Sequence, residues 1–72
     1  MIYDVVGKSN FISRKGTNCY LIYVNYDRDK VIGKATDSIY LKGEWYELIK
    51  NIPCKVSIDF DRSGYPVNFS VK

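Results

Sequence analysis

Apolar residues recur along the chain in short runs, most of them with a period of two, and clusters of Gly, Asn, Asp and Ser separate the runs. Alternation of this kind marks strands with one dry and one wet face. Ile2 to Val6 is the first run. Gly7-Lys8-Ser9-Asn10 interrupts it with loop-favouring residues, and Phe11-Ile12-Ser13 resumes extended structure before the polar turn cluster Arg14 to Asn18. Cys19 to Tyr26 is dense in β-branched and aromatic residues and predicts a strand. Asp27-Arg28-Asp29 reads as the hairpin turn after it and Lys30 to Ala35 as the return strand, with Gly33 marking a bulge or bend.

A helical period appears once. Trp45, Leu48, Ile49 and Ile52 fall at i, i+3, i+4 and i+7, which predicts a helix of about two turns that stops before Pro53. The apolar neighbours of Trp45 on that face make it a plug on the core. Val56, Ile58 and Phe60 then alternate with polar residues, Asp61 to Gly64 forms a turn, and Val67, Phe69 and Val71 alternate in the last strand.

Three strands, a helix and two strands is the element order of an OB-fold, so the expectation is an all-β chain with one short helix, closed as a five-stranded OB-like Greek-key barrel. Closure removes edges that an open sheet would expose. An SH3-like barrel is the alternative. With 72 residues there is room for a single OB-like domain over 1–72, and 46% hydrophobic against 26% charged residues is the balance of a chain that folds.

The same length leaves little surface for an enclosed catalytic pocket. Cys19 and Cys54 lie far apart and there is no histidine, which excludes the usual Cys/His zinc sites and a Cys-His nucleophile. Both cysteines are expected as reduced core thiols, with no metal and no cofactor. The carboxylates are scattered or sit in turns, so no enzyme is expected. No run approaches the roughly 18 apolar residues of a membrane span, and Met1-Ile2-Tyr3-Asp4 lacks the pattern of a signal peptide. A cytoplasmic protein without a membrane partner is the expectation.

Net charge is +3, and all of the excess lies in residues 1 to 34. An anionic partner or mere solubility accounts for such a bias. Tyrosine supplies 7 residues, and both faces of the Cys19–Tyr26 run are apolar or aromatic: Cys19, Leu21 and Tyr23 on one, Tyr20, Ile22, Val24 and Tyr26 on the other. One face makes core, and the branched aliphatics suit the second set to it. The other face presents rings. Between Arg14-Lys15 at one end and Arg28, Lys30 and Lys34 at the other, rings drawn from Tyr20, Tyr23 and Tyr26 would form a stacking platform in a positive groove, suited to single-stranded nucleic acid. Packing against a second copy of the chain is the competing use of such a face.

The stretch Ser13-Arg14-Lys15-Gly16-Thr17-Asn18-Cys19-Tyr20-Leu21 resembles the Ser-Arg-x-Gly-x-x-aromatic-x-Leu segment of the filamentous-phage gene V single-stranded-DNA-binding proteins, small dimeric OB-fold barrels. The resemblance implies a DNA-binding wing in which Arg14 contacts phosphate, Gly16 makes the turn and the following aromatic stacks on a base. Cys19 stands where that family has the ring, and Tyr20 follows one step later. The functional expectation is sequence-tolerant binding of single-stranded DNA, or RNA, by a homodimer of phage or mobile-element type. The alternative is a small β-barrel that recruits a protein through its tyrosine-rich face.

Overall fold

In the computed structural model, which describes residues 1–72, the apolar runs become β1 (Ile2–Ile12), β2 (Asn18–Tyr26), β3 (Ala35–Leu41), the single-turn helix α1 (Gly43–Tyr46), β4 (Cys54–Phe60) and β5 (Pro66–Val71). All pairings are antiparallel. The strands lie in the order β3-β2-β1-β4-β5.

The core forms on one side of this sheet. Tyr3 and Val5 of β1, Ile22 and Val24 of β2, Ile39 and Leu41 of β3, and Val56 and Ile58 of β4 point to it by strict alternation, and Ile49 closes it from the segment after α1. Tyr3 is packed edge-on against Tyr26 at 5.3 Å and Phe60 at 6.3 Å. Trp45 stacks on Phe69 of β5 at 5.7 Å, and Tyr46 meets Tyr20 of β2 at 5.1 Å. The helical turn thus joins the two arms of the sheet across its concave side.

That arrangement corrects the expected barrel. β3 and β5 are the two ends of the strand order and share no hydrogen-bonded ladder, so the sheet is open, neither an OB nor an SH3-like barrel. Side chains of α1 bridge the arms where a barrel would join strand to strand. β1 pairs with β4 only over Ile2–Val5, and the register with β2 shifts between Val5 and Gly7. The bulge there bends the long strand. Gly7 to Asn10, expected as a loop, therefore continues β1.

The return strand also differs. Lys30 and Gly33 adopt positive φ, 67° and 87°, a conformation that ends extended pairing, so residues 27–34 form a loop and β3 begins at Ala35. The expected two-turn helix is one turn. Of its expected face, Ile49 is buried and Trp45 half-buried, whereas Leu48 and Ile52 are exposed. The Lys8 ammonium donates to the Ile49 carbonyl at 2.8 Å and lies 4.7 Å from the centre of the Tyr46 ring, tying the chain after α1 to β1.

Candidate functional site

The side of the sheet opposite the core has no covering element, because α1 packs on the concave side. Register places Phe11, Ser9 and Gly7 of β1 opposite Cys19, Leu21 and Tyr23 of β2, and Leu21 and Tyr23 in turn opposite Tyr40 and Ser38 of β3. Tyr40 is 62% exposed, Tyr23 43% and Phe11 41%, with Leu21 and Cys19 half-buried between them. An apolar, ring-bearing strip thus crosses β1, β2 and β3. Its hydroxyls keep it wettable, and the Tyr23 hydroxyl is 3.4 Å from that of Ser9.

β3 adds an open backbone edge. The Ser13 amide donates to the Thr17 carbonyl at 2.9 Å at the β1–β2 turn, which makes Phe11 with Cys19, Ser9 with Leu21 and Gly7 with Tyr23 the hydrogen-bonded pairs of that ladder. Ile22 and Val24 then turn their backbone groups to Ile39 and Asp37. By the same alternation Thr36, Ser38 and Tyr40 direct theirs away from the sheet. The Ser38 amide is met there by the Asp37 carboxylate of its own strand, at 2.8 Å.

The expected groove is not assembled. Arg14 and Lys15 occupy the turn at one end of β2, Arg28 and Lys30 the loop at the other, and a nine-residue strand at about 3.3 Å per residue holds the groups on the order of 25 Å apart. Lys34 is drawn to Asp27 at 2.8 Å; this contact lowers the Asp27 pKa and raises that of Lys34. The rings divide as well: Tyr20 and Tyr26 are half-buried on the concave side against Tyr46 and Tyr3, while Tyr23 faces out. A phosphate-tracking, base-stacking channel needs cations and rings on one surface. The expected binding of single-stranded DNA is therefore corrected.

Tyr40 and Phe11 belong to the exposed strip and were not among the expected site residues. The signal for Tyr40 was present in the alternation Ser38-Ile39-Tyr40-Leu41, which sets Tyr40 on the face away from the core positions Ile39 and Leu41. Other conspicuous groups serve the fold. Asp61 accepts from the Ser63 and Tyr65 amides at 2.9 Å and shapes the β4–β5 turn. Cys19 and Cys54 are free thiols, and burial raises the Cys54 pKa. No group of three or more His, Cys, Asp or Glu side chains is gathered where it could hold a metal ion, and no helix is long and apolar enough to cross a membrane.

No protein-family profile, curated protein or solved structure matches the chain. The resemblance of residues 13–21 to the phage DNA-binding proteins thus has neither a matching family nor a closed barrel behind it.

Proposed function

We propose that the chain is a protein-interaction module that docks a partner on the exposed face of β1, β2 and β3. The observation that carries this reading is the strip of Phe11, Leu21, Tyr23 and Tyr40, left open on the side of the sheet that the helix does not cover. Tyrosine and phenylalanine are enriched in the centres of protein interfaces, where a ring gives large contact area for little lost side-chain freedom.

The reading is one of contact and not catalysis. Its support is the use already made of five of the eight carboxylates: Asp27 holds Lys34, Asp4 is 3.8 Å from Lys55, Asp59 is 3.7 Å from the chain amine, and Asp37 and Asp61 bind backbone amides. Affinity purification from cells that express the protein tests the reading. A protein recovered with the parent should be lost from a variant carrying Tyr23→Ser and Tyr40→Ser and retained by Tyr65→Ser, whose ring is 70% exposed in the β4–β5 turn. Equal recovery by all three contradicts it.

A further inference from the structure

We infer that the partner enters as an extended segment that adds antiparallel to the free edge of β3, with apolar side chains beside Tyr40 and Ile39 and an Arg or Lys opposite Asp37. This rests on the proposed role of the tyrosine face and identifies what that face receives.

Area is the first argument. Three strands about 4.8 Å apart, with about seven residues each at about 3.3 Å, present about 330 Å2, whereas a stable interface between two folded surfaces takes about 800 Å2 from each. The strip is too small to hold a globular partner by side chains alone. Strand addition supplies main-chain hydrogen bonds in place of the missing area, and side chains at alternate positions then give specificity. β3 offers outward amides and carbonyls at Thr36, Ser38 and Tyr40, directly beside the strip.

Charge is the second. Asp37 is exposed and has no ion pair, its carboxylate being turned instead onto the Ser38 amide at 2.8 Å. That amide is therefore not used by the sheet. On strand addition it would pass to a partner carbonyl, and the released carboxylate would face a side chain across a non-hydrogen-bonded pair, the close kind, where opposite charges attract. A second copy fits less well. Pairing β3 with its own copy about Ser38 sets Asp37 against Ile39, and two-fold symmetry makes that mismatch occur twice.

The order of demands along the incoming strand follows from the register. Opposite Tyr40, Ile39, Ser38, Asp37 and Thr36 it needs apolar, apolar, neutral, basic and neutral residues. A fluorescein-labelled peptide Ser-Val-Ile-Thr-Arg-Thr-Ser, titrated with the protein by fluorescence anisotropy to millimolar concentration, is a direct probe. It should bind, and Asp37→Lys should weaken it tenfold or more. The same peptide with Asp in place of Arg should bind Asp37→Lys better than the parent, which a merely structural role of Asp37 would not produce. Methylation of the amide of its central Thr, which faces Ser38, should abolish binding, and hydrogen exchange should slow at Thr36, Ser38 and Tyr40 but not along β5. No binding, or binding indifferent to charge reversal and to methylation, overturns the inference, as does self-association in sedimentation equilibrium that Asp37→Lys abolishes. If partner recovery still depends on Tyr23 and Tyr40 in that event, the interaction face stands and only strand addition falls.

Discussion

The Tyr23 ring lies over Gly7, its register partner on β1, and a Cβ built at Gly7 would stand 3.4 Å from Tyr23 Cδ2. The pair sits just past the β1 bulge, where a glycine without a side chain leaves backbone for the ring to cover. The contact is ordinary in length and the ring is partly exposed, so it has room to give. Gly7→Ala should therefore be neutral or stabilise by up to about 1 kcal/mol, chiefly by restricting the unfolded chain. Urea unfolding measures this. A loss beyond about 1 kcal/mol would mean that the ring is held rigidly.

Trp45 joins β5 to the core by stacking on Phe69, with the Lys42 ammonium 4.9 Å from the centre of the indole ring. Trp45→Ala should cost about 3 kcal/mol, a large share of the stability of so small a domain, and Trp45→Phe clearly less. Loss of β5 protection in hydrogen exchange should accompany the alanine change. If β5 stays protected, the helical turn does not join the arms.

Lys8 holds the chain after α1 through the Ile49 carbonyl and the Tyr46 ring. Lys8→Met keeps most of the stem and removes the ammonium, so it should cost about 2 kcal/mol, the low end for a charge-assisted hydrogen bond with an exposed cation–π contact. Thermal denaturation reads it. An unchanged midpoint would assign Lys8 to solvent.

Asp27 and Lys34 give a pH window of known sign. The hydrogen bond to Lys34 lowers the Asp27 pKa, so the pair's support is present above the unfolded carboxylate value and is lost as pH falls through the folded one. The same bond raises the Lys34 pKa, so support is present below the unfolded lysine value and lost as pH rises through the folded one. Solvent exposure of both side chains and salt keep the effect small. NMR titration of Asp27 should show its pKa rise when Lys34 is changed to Met, and no rise would break the pair.

The strand pattern carried much of this fold. Ile22 and Val24 against Leu21 and Tyr23 gave β2 its correct inner face, and Val56, Ile58 and Phe69 placed the last hairpin, because alternation is local. Closure is not local. Whether β3 meets β5 depends on the bend at Val5–Gly7 and on Trp45 reaching Phe69, contacts between residues far apart in sequence. The basic residues misled for a related reason: proximity in sequence to β2 hid the fact that its length separates Arg14 from Arg28. Tyr40 is hidden by the apolar Val31-Ile32 pair, which gives Lys30 to Ala35 the look of a return strand, although the positive φ of Gly33 breaks it and β3 starts at Ala35.

The most direct test of the interaction face is site-specific photo-crosslinking in the expressing cell. With p-azidophenylalanine in place of Tyr40, irradiation should give one discrete protein adduct, and the same probe at Tyr65 should give none at comparable yield. Adducts to nucleic acid, or identical adducts from both positions, would contradict the account.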